Sequence, residues 1–585
     1  MSAESPLFTP EQEKALRAWT RRYPEPRMGL VSALRDVQRW HRWIGPGAEL
    51  FVADIFAVPL DWVHGLVTFY PHFTTKPSGK HRICVCRNLS CHMRGAPAVL
   101  RRLRAKLGVD EGEPTPDGLF SYEAVECLGL CDHAPALAID DLPVGAADAD
   151  LLDKAIDEVR AGRPVPEAPL AAAPSGPAEG AKLLTGRFGE RELHRLEVYR
   201  RFGGYSALEK AARMRPEEIT AEVKKSNLRG LGGAGFPTGM KWETVPPKSR
   251  RKEPHYLVVN ADESEPGCYK DRVLMERNPH ALIEGTAIAA RAVDADGLFV
   301  FIRGEYARQK RILEEAACEA RAAGLIGQDI FILQGANAYI SGCDTALLET
   351  MEGRKAWPRQ PPPFPTVSGV FGHPTVVNNV ETIMMVPAVL RDGGEAFARL
   401  GAARSGGTCV YSVSGDVERP GIYEFPMGAP LPDLLRAAGG VRGGRKLKAV
   451  IPGGTSTPVV TAEEAAKLRM DFDGLRAAGS FLGAGGLVVL DETADMVDVL
   501  HVIERFLWHE SCGQCTPCRE GSGWVTRILA RILEGKGGAR DPANLARASE
   551  NITGRVICAL GDTVGMVAKA MLDKFPEDFQ KRVHG

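Results

Sequence analysis

Apolar residues recur at helical spacing through Leu30, Leu34, Val37, Trp40 and Trp43, with charged residues between them. That spacing predicts amphipathic helices between about residues 10 and 72. Pro59 falls in a loop, and a further helix follows through Trp62, Val63, Leu66 and Val67. From 80 to 160 the period changes. His81-Arg82-Ile83-Cys84-Val85-Cys86 and Ala136-Leu137-Ala138-Ile139 are short apolar runs that predict strands, and 96–107 carries a basic-faced helical pattern between them. Residues 161–180, AGRPVPEAPLAAAPSGPAEG, offer little to bury and predict a linker.

Beyond the linker, apolar strands such as Tyr256-Leu257-Val258-Val259-Asn260 and Gly297-Leu298-Phe299-Val300-Phe301-Ile302 alternate with glycine-rich turns and helical stretches such as 307–323. This alternation predicts an α/β sheet layered with helices. From about 405 to 490 shorter strands dominate, with one helix expected near 431–438, and 494–585 returns to a helical pattern. The expected units are a helical segment 1–75, a small α/β domain 76–160, a linker 161–184, a large α/β domain 185–402, a β-rich domain 403–492 and a helical domain 493–585.

A chain of 585 residues has room for about three to five domains. A net charge of −1 leaves no electrostatic footprint for nucleic acid. No apolar run approaches the ~20 residues that span a bilayer, and the N-terminus lacks a basic stretch followed by an apolar one. The expectation is a cytoplasmic protein that reaches a membrane, if at all, through partner subunits. Thirteen cysteines in such a chain point to ligation or redox chemistry more than to disulfides.

Two cysteine sets carry the chemistry. Cys512, Cys515 and Cys518 are spaced C-x2-C-x2-C, with Cys558 downstream. Three thiolates on one tight loop and a remote fourth suit a 4Fe–4S cluster, whereas structural zinc usually takes separated pairs. Cys86 with Cys91, and Cys127 with Cys131, form two pairs just after predicted strands. They suit a 2Fe–2S cluster, with zinc as the rival. Cys84 would stay in its strand and is left out of the cage.

The stretch RGLGGAGFPTGMKW, Arg229 to Trp242, is glycine-rich and leads to Lys241. Glycines allow a close backbone approach to a phosphate that Lys241 could neutralise, although such loops are often only turns. After the strand at Tyr256 come Asn260, Asp262, Glu263 and Glu265, which read as a polyol- or ring-binding loop or as a solvated acidic turn. Asn378 and Asn379 open a helix, where they could cap it or bond a ligand.

Together the motifs RGLGGAGFPTGMKW, NADESEPG, KDR, NNVET and SCGQCTPCREG resemble those of the NADH-oxidising flavoprotein subunit of respiratory complex I. The relatives of that subunit in NAD-reducing hydrogenases and NAD-dependent formate dehydrogenases are similar too. Residues 20–150, with CRNLSC and CLGLCDHAPA, resemble the small 2Fe–2S partner of that subunit. The resemblance implies an α/β multidomain chain: N-terminal helices with a thioredoxin-like 2Fe–2S domain, an FMN-binding α/β domain, a β-grasp-like domain and a helical 4Fe–4S bundle. It implies that FMN lies along Arg229, Gly230, Gly232, Gly233 and Gly235, with Lys241, Asn260, Asp262, Glu263, Asn378, Asn379 and Thr382 around it. Tyr339, Gly342 and Asp344 would line the same site. NADH would stack on the flavin, with Glu265 as the catalytic residue near the nicotinamide and Phe236 and Phe364 clasping the adenine. The implied activity is NADH:acceptor oxidoreduction, with electrons leaving through the 4Fe–4S cluster to another iron–sulfur subunit and a 2Fe–2S side cluster.

Departures from the family pattern lie on the nucleotide side. Its usual paired glutamates are Cys343 and Asp344, its lysine before Pro-Pro-Phe-Pro is Pro361, and an aromatic is replaced by Thr244. They imply relaxed preference between NADH and NADPH. The alternative is an FMN and iron–sulfur electron-transfer subunit that has lost nicotinamide binding.

Overall fold

The computed structural model describes residues 7–146, 149–169 and 181–584. Part of the expected linker, 170–180, lies outside the described residues. Helices Pro10–Arg22, Leu30–His41, Pro46–Phe56 and Leu60–Phe69 form the N-terminal segment. The helical spacing holds: Leu30, Leu34 and Val37 are buried, and Trp40 and Trp43 lie at the margin.

The small α/β unit has strands β1 (His81–Cys86), β2 (Phe120–Val125), β3 (Ala136–Ile139) and β4 (Leu142–Ala146) in the order β2-β1-β3-β4. β1 and β2 are parallel and the other pairs antiparallel. In β1, Ile83 and Val85 face the core while Cys84 points to the other side, as strand alternation requires. The helix Ala96–Leu107 covers that core with Ala96, Val99, Leu103 and Leu107, spaced along one helical face.

The large unit is built on four parallel strands, β5 (Tyr256–Ala261), β6 (Gly297–Ile302), β7 (Ile330–Gln334) and β8 (Thr375–Asn379). Their near-continuous apolar sequences reflect helices packed on the sheet, chiefly Pro279–Ala292, Ala307–Ala322 and Val380–Asp392. The order β7-β6-β5-β8 reverses direction between β5 and β8. A crevice opens at such a point, outside the carboxyl ends of the strands, and there ligands bind in open α/β sheets. Here it is bordered by Asn260 and Ala261 on one strand and Asn378 and Asn379 on the other.

The β-rich unit contains β9 (Thr408–Gly415), β10 (Gly421–Pro426), β11 (Ala429–Pro430), β12 (Leu447–Ile451), β13 (Val460–Thr461), β14 (Arg469–Met470) and β15 (Gly486–Asp491). Five of them form a mixed sheet in the order β10-β9-β15-β12-β13, and β11 pairs with β14. The expectation of one helix here is corrected to three, Leu431–Ala437, Ala462–Ala465 and Phe472–Ala477. The last two span little more than a turn, too short to show a period. Side-chain caps start them: Thr461 accepts from the Glu464 N–H, and Asp471 from the Asp473 and Gly474 N–H groups. The C-terminal unit packs Met496–His509, Thr516–Leu533, Asp541–Ile552 and Ala559–Lys574 around Leu500, Ile503, Val525, Leu529, Val564 and Met571. Among the described residues no helix is long and apolar enough to cross a membrane.

Several contacts fix the units to each other, Ser90 to Ser414 at 3.0 Å and His92 to Asp498 at 2.8 Å among them. The N-terminal helices share a core with Ala336, Ala338 and Ile340, and Tyr70 Oη donates to the Arg354 carbonyl at 2.8 Å and lies 2.9 Å from Thr350 Oγ1. Two arginines, each 3% exposed, bind the small α/β unit to the large one. Arg272 donates to the Gly129 carbonyl at 2.9 Å and to both oxygens of Asp132 at 2.7 Å. Arg303 donates at 2.6 Å both to the Cys127 carbonyl and to the Glu263 carbonyl. Arg272→Met removes one partner of a buried pair, a change that costs about 3–5 kcal/mol. The expected outcome is faster amide exchange across residues 127–132, with exchange in β5 and β6 unchanged. Equal protection of 127–132 in variant and wild type would refute the role given to Arg272.

Candidate functional site

The glycine loop lies against the start of the helix Val380–Asp392, beside the crevice. Leu231 N–H donates to Thr382 Oγ1 at 2.8 Å, and Gly230 N–H to the Phe236 carbonyl at 2.9 Å. Arg229 closes the loop by donating to the Gly235 carbonyl at 2.6 Å and stacks on Phe472. Gly232 must be small, because a Cβ there would sit 2.8 Å from Asn379 Cβ. Gly235 has φ +65°, and a Cβ on it would overlap the Phe472 ring. Gly233 faces open space. The loop runs into the helix Thr238–Glu243, which carries Lys241. Burial pulls the Lys241 ammonium below the usual lysine range, and Asp344 opposes that shift. Lys241 Nζ donates to the Val377 carbonyl at 3.1 Å, so a positive group is held at the crevice with donor capacity to spare.

The strand-end polar residues are brought together. Asn260 Nδ2 donates to the Gly342 carbonyl at 2.9 Å, and its Oδ1 accepts from the Asp262 N–H at 3.0 Å. Asn378 Oδ1 accepts from Trp242 Nε1 at 2.9 Å. Asn379 caps its helix through the Thr382 N–H and donates to Asp271 Oδ2 at 2.6 Å. Burial pushes the Asp262 carboxyl up to about 8, with Arg303 pulling it down. Burial also raises Glu263 to about 8. The Glu263 side chain accepts from the Asp271 and Arg272 N–H groups at 2.9 Å, in the first turn of the helix Lys270–Arg277, and from Tyr306 Oη at 3.1 Å.

Glu265 is held by Tyr339 Oη at 2.6 Å and by Thr455 and Ser456 of the β-rich unit. Asp344 begins the helix Asp344–Met351 and accepts from the Thr345 N–H at 2.8 Å, with Cys343 as the preceding cap residue. Phe236 and Phe364 are exposed, at 48% and 62%. Near Pro361 the nearest cation in sequence, Arg359, is bound to Glu349 at 2.6 Å and Glu352 at 2.7 Å, so it does not replace the missing lysine.

Four free thiols converge in the small α/β unit. Cys86, Cys91, Cys127 and Cys131 are all at most 5% exposed. Cys127 Sγ and Cys131 Sγ are 3.7 Å apart, and Cys86 lies against Cys127 and Cys91. The N–H groups of Gly129 and Ala136 point at the sulfurs of Cys127 and Cys91, each at 3.3 Å, as suits thiolate ligands. Cys84 lies 3.4 Å from Glu123 Oε1, outside this set.

In the helical unit, Cys515 caps Thr516–Leu533, Cys518 lies in its first turn, and Cys558 caps Ala559–Lys574. Cys512 belongs to the loop before them, its carbonyl accepting from Trp357 Nε1 at 3.1 Å. Two helix N-termini therefore face the sulfurs, an arrangement that favours the negative charge of ligated thiolates. As free thiols, Cys518 and Cys558 are pushed up by burial, to about 11 and about 12.

Sequence reasoning missed Asp271, Arg303, Thr455 and Ser456. Asp271 and Arg272 sit inside the KDR motif, which offers a signal. Thr455 and Ser456 lie 190 and 191 positions from Glu265, and nothing local marks them.

Family models match for a Nuo51 FMN-binding domain at 223–388, a thioredoxin-like [2Fe-2S] ferredoxin at 16–160, an SLBB domain at 410–460 and an NADH-ubiquinone oxidoreductase-F iron-sulfur binding region at 498–582. The ferredoxin match decides between a two-iron cluster and zinc in the small α/β unit, in favour of iron. The F 2 subunit of the NADH-quinone oxidoreductase of Rhizobium meliloti (strain 1021) is 48% identical over 397 residues, covering 66% of this chain and 94% of that one. The corresponding F protein of Streptomyces coelicolor is 46% identical over 414 residues, covering 69% and 92%. The crystal structure of an NAD+-reducing [NiFe]-hydrogenase in the air-oxidized state superposes with a TM-score of 0.84 at 31% identity, covering 95% of this chain and 94% of that chain. The chain belongs to the family of F subunits of NADH-quinone oxidoreductase, as an NADH dehydrogenase module in which the FMN, 2Fe–2S and 4Fe–4S domains are fused.

Proposed function

We propose that the crevice between β5 and β8 holds FMN and that NADH is oxidised on its outer side. The observation that carries this reading is the meeting, at the switch point of the sheet, of the glycine loop, Lys241 and the strand-end residues Asn260, Asp262, Asn378 and Asn379. When bound, FMN supplies the exchange between the two-electron hydride of NADH and one-electron iron–sulfur carriers. The glycine loop offers backbone N–H groups to the phosphate, and Lys241 neutralises it. Asn260 and Asp262 stand where they orient the polyol chain. Glu265 faces the nicotinamide, and the exposed rings of Phe236 and Phe364 offer stacking surfaces to the adenine. Cys512, Cys515, Cys518 and Cys558 hold the 4Fe–4S cluster; Cys86, Cys91, Cys127 and Cys131 hold the 2Fe–2S side cluster. The 4Fe–4S cysteines are less buried than the 2Fe–2S cysteines as a group, which suits electron exit there to an iron–sulfur subunit of a larger complex. Complex I, a hydrogenase and a formate dehydrogenase all offer such a partner, and membrane association would come through it.

A second reading concerns nucleotide choice. Asp344 is a carbon shorter than glutamate and spends one oxygen on its own helix N-terminus. A shorter, partly engaged carboxylate repels a 2′-phosphate less, so discrimination against NADPH is weakened.

Anaerobic titration of the full chain tests both readings. NADH is expected to bleach flavin and cluster absorbance, and NADPH to do so at higher concentration. Exclusive response to NADH would overturn the second reading, and response to neither would overturn the first. Lys241→Met removes a charged hydrogen-bond partner, worth about 1.5–3 kcal/mol, so FMN is expected to bind ~10- to 150-fold more weakly by fluorescence titration. In Cys558→Ser, NADH is expected still to bleach the flavin while the 4Fe–4S signal in electron paramagnetic resonance is lost.

A further inference from the structure

Glu265 sits after β5, yet most of what holds it comes from a different unit. Each carboxylate oxygen has two donors. Oε1 accepts from the Ser456 N–H at 2.8 Å and Thr455 Oγ1 at 3.2 Å. Oε2 accepts from Tyr339 Oη at 2.6 Å and Ser456 Oγ at 2.7 Å. A carboxylate has about four lone-pair sites, so this set fixes both its position and its rotation.

The turn that supplies three of these donors is itself rigid. Gly453 N–H donates to Thr457 Oγ1 at 3.1 Å, Thr457 Oγ1 to the Gly454 carbonyl at 2.9 Å, and Gly454 N–H to the Gly486 carbonyl at 2.6 Å. Thr455 N–H returns to the Pro266 carbonyl at 3.1 Å, next to Glu265 in the chain. Gly454 has φ +101°, and a Cβ on it would overlap Glu265 Cγ. The two segments therefore fit only with glycine at 454. Thr455 is fully buried, so its hydroxyl is directed inward and not to solvent.

We propose that the 453–457 turn of the β-rich unit is a wall of the nucleotide site, and that Ser456 and Thr455 are positioning residues that hold the Glu265 carboxylate as a fixed negative charge facing the bound NADH. This rests on the reading of Glu265 given above. A half-buried carboxylate deprived of two hydroxyl donors regains rotational freedom, and misplacement by about 1 Å is enough to lower productive binding. Such a loss acts on binding in the ground and transition states alike, so it is expected in KM more than in kcat.

The test uses the purified full chain carrying Thr455→Val and Ser456→Ala together, with Glu265→Gln as control and Ser456→Thr as the conservative variant. FMN content, cluster absorbance and the thermal transition are measured beside NADH kinetics. The expected result is a KM for NADH raised about tenfold in the double variant, with FMN content retained and the Ser456→Thr value close to wild type. A double variant with wild-type KM, while Glu265→Gln raises it, would overturn the role of the turn and leave the reading of Glu265 standing. Unchanged KM in Glu265→Gln would overturn that reading and this inference with it. If the double variant loses FMN, Ser456→Ala alone is judged by the same criteria.

Discussion

Two buried guanidinium groups set the geometry on which the rest depends. Arg272 and Arg303 rise from the FMN unit and end on carbonyls of the 2Fe–2S loop, at Gly129 and Cys127. A buried charge is tolerated only when it is paired and its protons are satisfied. Asp132 and Glu305 supply the charge, at 2.7 and 2.6 Å, and the loop carbonyls use the remaining donors. Each unit thus completes hydrogen bonding that the other leaves open. Glu263 lies at the centre: its carbonyl accepts from Arg303 while its side chain accepts from the backbone N–H of Arg272. The cysteine loop and the segment after β5 are consequently parts of one hydrogen-bonded body, and the spacing between them is fixed by it.

The parallel sheet does the same for the flavin side. Reversal of strand order between β5 and β8 opens a crevice without any special loop. The proposed site draws together chain segments far apart in sequence: the glycine loop, the ends of β5 and β8, the 339–344 segment and the 453–457 turn. The N-terminal helices take part from outside. They share a core with Ala336, Ala338 and Ile340 and so brace the segment that carries Tyr339, Gly342 and Asp344. The N-terminal helices therefore support the proposed nucleotide site.

Much of this was legible in the sequence where the chemistry is local. Cys512, Cys515 and Cys518 follow one another on a loop and the helix start it leads into, so their spacing alone limits what they can ligate. The apolar runs of β5 and β6 announce a buried parallel sheet for the same reason. Legibility fails where partners are distant or where one residue type serves two ends. Glu263, read with its acidic neighbours as a cofactor loop, also bonds the first turn of Lys270–Arg277, a second role that the sequence does not announce. Asn379 is both a cap and a partner of Asp271, and the sequence supports only the first. Ser456 and Thr455 sit in an ordinary glycine-rich turn, and only the fold brings them to Glu265.

Burial also accounts for where the departures from the family pattern fall. Behind the crevice Asn379 leads to Asp271, Asp271 to Lys270 at 2.9 Å, and Lys270 to Glu381 at 2.7 Å. Glu381 in turn accepts from the Val410 N–H of the β-rich unit at 2.7 Å. Lys270 and Glu381 are wholly buried, so loss of either strands a charge at a cost of about 3–5 kcal/mol. At the nucleotide rim the bonds are fewer and carry no buried ion pair. Asp344 bonds its neighbour Thr345, and Thr244 bonds Lys241 and Thr366. Substitution at the rim disturbs one or two contacts near solvent and leaves the cradle intact. The rim touches the cradle at few points, Thr244 at the Lys241 carbonyl and Gly342 at Asn260 Nδ2, while the Asn379–Asp271–Lys270–Glu381 chain behind it makes no bond to Asp344 or Thr244, so a change at the rim leaves that buried chain in place.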